Sequence, residues 1–522
     1  MKPDQEPQHL HAVKFSDDAA GLAAIGKTQA FDRRYNIWSV VAIGWCAISA
    51  SLLPTLVSGG AVTFIWGFVA AALGMLLVTA SLAELASIWP SSGGQYHWVA
   101  ELSNDGWRPL LSWMTGWMAF SSMLLGVVGS IFAFSIQVQV FAMACNPEYV
   151  PEQWHVTMIF IASALVNGLV NIFGVRFYHV MNIYVMVHQA VFYIAVIITL
   201  LACTSPNFNS ASYVFTNFQN VSGWSSDGVS FLIGVLGLVI GFVAVEAPAH
   251  FSEEMNHATR DIPRAMMYSV IGNAVATLPW IITLLFTMGS IEELVSTRFG
   301  SLMPIFQILL NATKNTGAAV FLNLGLSAVA FLSAIDLNGA CARTIWSMAR
   351  DNAFPEVFGR VHPVWDVPVW PIIVICIVEC AFGCIYIGNV TAFYGIISGI
   401  LVLQMSSYAI PIVLHLFQRG KIPYGPWKMP RVVGYVVNAG ALCWCIMGLL
   451  FFTFPIYMPV TPANMNYSSA ILGGVLLVSS VLYLTYARGR FVGPIKEIDG
   501  VLQSDSVAGE SSSLKDTETG EK

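Results

Sequence analysis

Apolar stretches long enough to cross a bilayer as helices recur along this chain, and no other feature constrains its fold as strongly. They read Ile37–Val57, Val62–Ile88, Leu110–Ala142, Val156–Phe173, Val180–Leu201, Val229–Ala249, Ala265–Met288, Ala318–Trp346, Pro371–Ile387, Thr391–Leu414, Gly434–Phe454 and Ala470–Tyr486. That makes twelve. Backbone polar groups in hydrocarbon need partners within their own segment, so helices are the economical reading; a membrane barrel would show short alternating segments instead. The 522 residues are 56% hydrophobic and 10% charged, where soluble domains carry about a quarter charged residues. A multi-pass, all-α integral membrane protein is expected.

Charge placement tests the count. With spans alternating in direction, 21 of the 23 lysines and arginines fall on one side, Arg343 at the inner end of the eighth span among them; only Arg298 and Lys314 fall on the other. A missed or invented span would scramble that asymmetry, so the positive-inside rule supports twelve spans with both termini cytoplasmic. Residues 1–36 lack the charged, apolar and small-residue pattern of a cleaved signal, so the first span is expected to insert itself. Sequons at Asn220, Asn311, Asn389 and Asn466 all fall on the expected outer side. The nine cysteines follow no metal spacing. Cys376, Cys380 and Cys384 form a packing stripe on one helix, whereas Cys145 and Cys203 sit at outer loop edges where a disulfide is conceivable.

Two spans interrupt themselves. The first carries Gly44, Ser49, Ser51 and Pro54 in its middle, and the sixth carries Gly241, Glu246 and Pro248 in "GFVAVEAPAHFSEEMN". Proline removes a backbone donor and clashes one turn back, so both are poor continuous helices. They lie five spans apart, and a second copy of a five-span unit must insert upside down. Interrupted helices at matching positions of inverted halves point to a transporter's midplane site, where half-helix ends offer free N–H and C=O groups. One proline kink alone is ordinary in a membrane helix; two in register, one with an acid, favour a site.

Acids at bilayer depth are costly enough that function is the default reading. Glu246 is the leading candidate, for substrate binding or proton coupling, against the alternative of a structural, paired carboxyl. Asp336 in the eighth span is a plausible proton or cation ligand. Glu84 reads as a gate residue or as solvated, and Glu379 as a protonated packing residue. His188, inside the fifth span, could relay protons or simply bond a neighbour.

The chain resembles the amino acid–polyamine–organocation superfamily, in particular its fungal amino acid/choline/GABA permease branch. The resemblance runs from Arg33 to Pro494 and is carried by "SLAELASIWPSSGGQYHWVAELS" (81–103), "EAPAHFSEEMNHATRDIPRAM" (246–266), "ARTIWSMARDNAFPEVFGRVHPVWDVPV" (342–369), "SSYAIPIVLHL" (406–416) and "FPIYMPVTPANMNYSSAILGG" (454–474). It implies a LeuT-type fold of two inverted five-helix repeats plus two peripheral helices. The expected organisation is a tail at 1–36, repeats at 37–201 and 229–418 around an outer loop at 202–228, two further spans at 434–487, and a disordered tail at 488–522. By position, the resemblance places the first break on Gly44, Trp45, Ala47 and Ser49, and the sixth on Phe242, Glu246, Ala247 and Pro248. Trp117, Asp336 and Asn338 would complete the site from the third and eighth spans. "SLMPIFQILLNAT" (301–313) would cap the pathway. Two departures stand out: no glycine follows Gly44 in "WCAISAS", and the fifth span has no lysine to replace a sodium ion.

The function expected is a secondary transporter importing an amino acid or related amine, coupled to protons and without a cofactor. A carboxylate at Glu246 near Trp45 and Phe242 suits an amine or quaternary ammonium, through ion pairing and a cation–π attraction of about 2 kcal/mol when desolvated. Choline and polyamines are alternatives on the substrate side. A transport-deficient receptor would be expected to carry longer tails, a channel needs a continuous polar stripe, and an enzyme needs clustered ligands, a P-loop or a nucleophile–base pair, none of which the sequence offers. The plasma membrane is the expected location, with the vacuolar membrane as alternative. Lys2, Lys14, Lys27 and Lys515 are candidate ubiquitin acceptors for ligase adaptors.

Overall fold

A computed structural model of the chain describes residues 27, 30, 31, 33–45, 52–300 and 302–495. Among them, eleven helical segments are long and apolar enough to cross a membrane. The second to fifth spans are Gly60–Ile88, Arg108–Cys145, Gln153–Phe173 and Val175–Thr204. The sixth to ninth are Asp227–His250, Ala258–Thr287, Thr316–Arg350 and Val369–Gly388, and the last three are Phe393–Gln418, Arg431–Phe451 and Ser468–Ala487. The first expected span completes the set in two pieces, Ile37–Ile43 and Leu52–Val57. The fold is therefore the expected all-helical one; among the described residues the only strands are a two-residue pairing of Ser58–Gly59 with Gln219–Asn220.

Local chemistry sets the helix ends. Asn36 caps the first helix, accepting from the Ser39 N–H while the Ser39 hydroxyl returns a bond to the Asn36 backbone. The third span opens with Pro109 in its first turn, where a missing N–H costs nothing. Asn315 accepts from the Ala318 N–H at 3.1 Å to start the eighth.

Glycines let the spans approach closely. A Cβ on Gly74 would lie 2.1 Å from the Trp444 ring of the eleventh span, and one on Gly325 would lie 1.9 Å from Phe192 of the fifth. Lipid offers no hydrophobic drive to pair helices, so such close packing supplies the association.

The two divided spans run antiparallel. Leu52–Val57 packs on the start of the sixth span, and Ile37–Ile43 on its end, Ala247–His250. This is the relation expected of matching helices in inverted repeats. Thr55 donates to the Gly234 carbonyl at 2.8 Å across the pair. The helix Pro304–Thr313 buries Ile305, Phe306, Ile308 and Leu309 against the eighth and fifth spans, with Phe306 6.4 Å from Phe141 near the end of the third. Cys145 and Cys203 are separate, exposed thiols, so the conceivable disulfide is not formed.

Candidate functional site

The sixth span comes apart over a few residues. Its helix ends at Val239, a single 3-10 turn covers Ile240–Phe242, and Val243 is extended at φ −60°, ψ 142°. Ala244 then takes φ +78°, a left-handed conformation that costs a non-glycine residue about 1–3 kcal/mol. The helix resumes at Ala247–His250, with Pro248 in its first turn. So proline starts the second half-helix rather than ending the first.

The freed groups at the break are unequally served. Asn273 of the seventh span donates to the Gly241 carbonyl at 2.6 Å and accepts from Thr277 at 3.0 Å. The amides of Ala244 and Val245 donate to no backbone carbonyl among the described residues. Both residues are buried, and a buried amide normally finds a partner.

The first break meets the sixth directly. Helix Ile37–Ile43 ends at Gly44, and a Cβ there would fall 2.7 Å from Ser269 Oγ and 3.2 Å from the Pro248 ring. Ser269 also donates to the Val41 carbonyl at 2.8 Å, tying the seventh span to the broken end. Trp45 follows, and its ring covers Gly272 of the seventh span. Ala47 and Ser49 lie outside the described residues.

Glu246 is 2% exposed and faces the tenth span. Its carboxylate accepts from the Tyr408 hydroxyl and, at 3.4–3.5 Å, from Gln404 Nε2, which also reaches Tyr408 at 2.8 Å. Gln95, at the start of the short helix Gln95–Leu102, stands close enough to interact with the carboxylate but outside hydrogen-bond geometry. The sequence reading missed Gln95, Gln404 and Tyr408. A glutamine and a tyrosine one turn apart in an apolar span were the available signal.

Phe242 stacks on Phe68 of the second span at 5.6 Å, and Ala247 is buried beside the break. The eighth span distributes its residues in three directions, since neighbours on a helix diverge by about 100°. Asp336 faces Tyr178 and Asn182 of the fifth span, and its Oδ1 has no hydrogen-bond partner among the described residues. Asn338 turns the other way and donates to Glu379 of the ninth at 3.2 Å. Leu337, between them, faces Gly126 of the third span and Val243 of the break. His188 bonds the Gly325 carbonyl at 2.9 Å and stacks near Phe192. Trp117 joins Trp113, Phe120 and Phe354 in a separate aromatic cluster. The structure thus gathers Gly44, Phe242, Glu246, Ala247 and Pro248 at one junction. Trp117, His188 and the side chain of Asn338 stand apart from it.

One end of the bundle, rich in arginine, is closed by ion pairs. Arg343 grips Glu254 with two nitrogens, and the Glu254 carbonyl accepts the amides of Arg34 and Tyr35. Arg350 meets Glu253 at 2.9 Å, and Glu253 also accepts from the Ser92 N–H. Asp351 takes Lys27, Tyr96 and the Ile495 N–H. Burial and the adjacent Asp351 push the Tyr96 hydroxyl well up, so it stays a neutral donor. Of the four candidate ubiquitin acceptors, Lys27 is buried here and the other three lie outside the described residues.

Residues 35–477 match the sequence model of the amino acid permease family. The chain belongs to the amino acid permease family. This permease is 28% identical to the choline transporter of Saccharomyces cerevisiae over 99% of its own length and 93% of the relative's. It is 32% identical to a putative amino acid/polyamine transporter of Macrophomina phaseolina over 82% of this chain and 95% of that one. Amino-acid permease 2 of Neurospora crassa matches at 28% over 91% and 88%. Family membership makes the protein a transporter rather than an enzyme.

Proposed function

We propose that this permease imports an amino acid or related amine, driven by protons, with substrate held where the first and sixth spans divide. The observation that carries the reading is the pair of buried amides at Ala244 and Val245, directly before Glu246, which donate to no backbone carbonyl among the described residues. N–H groups freed at a broken backbone favour a carboxylate. Glu246, whose oxygens are already engaged by Tyr408 and Gln404, serves in this reading as a coupling carboxyl. Protonation would weaken its hold on the tenth span and so bias the opening of the site. Asp336, with an oxygen that has no partner among the described residues, is the second coupling candidate.

The arginine-rich end is cytoplasmic in this reading, with both termini on that side, and the ion pairs there hold the pathway shut toward the cell interior. The plasma membrane suits an importer, and adaptors for ubiquitin ligases would act on the tail lysines.

Uptake in cells stripped of their own permeases tests the reading, with labelled amino acids, GABA, choline and putrescine, in wild type and Glu246→Gln at matched surface expression. Uptake of an amino acid, abolished or made insensitive to pH by the substitution, is the expected result. Unchanged transport of every substrate would make Glu246 structural. A second reading, a carrier of choline or another quaternary amine or polyamine, draws on the similarity to the yeast choline transporter across 99% of the chain. It predicts choline or putrescine uptake without amino acid uptake. Absence of all uptake from a surface-expressed protein would point to a receptor.

A further inference from the structure

The four sequons, at Asn220, Asn311, Asn389 and Asn466, are unequal in the fold. An asparagine side-chain nitrogen carries two hydrogens, and attaching a sugar replaces one of them. A nitrogen that spends both hydrogens inside the fold cannot also hold a glycan there. Asn220 is half-buried and spends both, on the Trp224 carbonyl at 2.9 Å and on Asp227 Oδ1 at 3.0 Å. Asn466, also half-buried, donates to the Phe452 and Phe454 carbonyls at 2.7 and 3.0 Å. Those two side chains knit the loops that precede the sixth and twelfth spans.

Membrane depth separates the other two. The ninth span, Val369–Gly388, has 20 residues, about 30 Å at the rise of an α-helix and no more than the thickness of the hydrocarbon. Asn389 follows it directly, and the next helix, Val390–Ile397, starts at the following residue, so Asn389 stays at the hydrocarbon edge. The eighth span, Thr316–Arg350, has 35 residues, about 52 Å on the same rise, so its ends stand clear of the hydrocarbon. Asn311 lies on the helix before it, Pro304–Thr313, and is exposed. Lys314, Asn315, Thr316 and Gly317 beside it are exposed too, a polar run suited to water rather than lipid. Asn311 Oδ1 accepts from Gln307 Nε2 at 2.7 Å, while Nδ2 donates to nothing among the described residues. Attachment at the nitrogen leaves that oxygen and its bond in place.

We propose that Asn311 carries an N-linked oligosaccharide and that the other three sequons do not. The inference rests on the orientation given under the proposed function, which puts this end of the bundle outside. Transfer joins Asn311 Nδ2 to the anomeric carbon of an oligosaccharide carried on a lipid pyrophosphate. The bond from that carbon to the pyrophosphate oxygen breaks, the lipid pyrophosphate leaves with the electron pair, and the nitrogen releases one proton.

The test uses full-length permease expressed in yeast and treated, in water enriched in oxygen-18, with the amidase that releases N-linked sugars and turns the carrier asparagine into aspartate. Gel mobility and peptide mass spectrometry read the result. A shift of one oligosaccharide, with labelled aspartate at position 311 alone, is expected. Asn311→Gln and Thr313→Ala should abolish the shift, and Thr313→Ser, which keeps the sequon hydroxyl, should retain it. Label at position 220, 389 or 466, or no shift at all, overturns the proposal. Orientation is read separately with a membrane-impermeant maleimide. Cys145 is an exposed thiol at the same end of the bundle, where Phe306 meets Phe141, and should be labelled in intact cells. Labelling of Cys145 without a glycan overturns the proposal and leaves the orientation standing. If neither occurs, the orientation fails and the proposal with it.

Discussion

Arg419, just past the tenth span, grips Glu84 of the second with two guanidinium nitrogens, at 2.6 and 3.0 Å. Both side chains are buried, and the Met429 N–H adds a third bond to the same carboxylate at 2.7 Å. The linker between the tenth and eleventh spans is thereby folded across the end of the second. Gly434 is part of the arrangement, because a Cβ there would sit 1.5 Å from an Arg419 nitrogen. Glu84 is neither solvated nor at the breaks; it fastens the peripheral pair of helices to the core.

Removing one partner strands the other charge, at a cost of about 3–5 kcal/mol. Glu84→Gln and Arg419→Ala are each expected to lower the apparent Tm of the purified permease in detergent and to reduce its delivery to the surface. Gly434→Ala should act similarly by displacing the guanidinium. Thermal unfolding of the three variants checks this, and Tm values matching wild type would show that the pair is dispensable.

The junction of the breaks permits a second prediction. A methyl group on Gly44 would press on Ser269 and on Pro248, and overpacking of this kind costs about 1–3 kcal/mol. Gly44→Ala should cut initial uptake roughly tenfold at matched surface expression, a loss in keeping with that range. Adding Ser269→Gly removes the nearest obstacle and should restore part of the rate. Wild-type uptake in the single variant would place the junction outside the transport cycle.

These cases mark what a single sequence can convey. A bilayer imposes length and apolarity on each crossing, so the eighth span, expected at Ala318–Trp346, occupies Thr316–Arg350, while the seventh, expected from Ala265, begins seven residues earlier at Ala258. Proline and glycine declared the breaks for the same local reason. Rotation about a helix axis was not legible: Asp336, Leu337 and Asn338 are adjacent in sequence yet face three different spans. Nor was pairing at long range. Glu84 and Arg419 are 335 positions apart, and Tyr408 finds Glu246 across 162. Trp117 was expected to complete the site from the third span, and its ring packs with Trp113 and Phe354 instead.

The third prediction concerns pH. His97, on the short helix between the second and third spans, is buried and bonds Ser91 Oγ at 2.8 Å, with Glu101 4.0 Å away. Burial, reinforced by the nearby Lys27, Arg108 and Arg350, holds its pKa well below the ordinary 6.5. The folded protein thus keeps the ring neutral while the unfolded chain can protonate it. Its contribution is complete above pH 6.5 and declines as pH falls below that value, at up to about 1.4 kcal/mol per unit. Tm measured from pH 7.5 to 5 should drop on the acid side, and His97→Gln should flatten that part of the curve. Parallel curves for the two proteins would exclude His97 as the source.

The last prediction concerns Asp351, which joins three distant parts of the chain. Its carboxylate takes the Lys27 ammonium, the Tyr96 hydroxyl and the Ile495 N–H at 2.9 Å. Phe491, four residues before Ile495, is 2% exposed and packs edge-on against Trp113 at 5.5 Å. One acid therefore pins the segment before the first span and the segment after the last to the end of the eighth. Asp351→Ala takes one buried carboxylate away from the Lys27 ammonium and removes the acceptor of the Ile495 N–H, which loosens both segments. Residues 33–35 and 488–495 should then exchange their amide hydrogens about a hundredfold faster, corresponding to a local loss of about 3 kcal/mol. Exchange in the spans should be unaltered, which separates release of the two segments from general unfolding. If both segments exchange as slowly as in wild type, Phe491 and the Glu254–Arg343 pair hold them without Asp351.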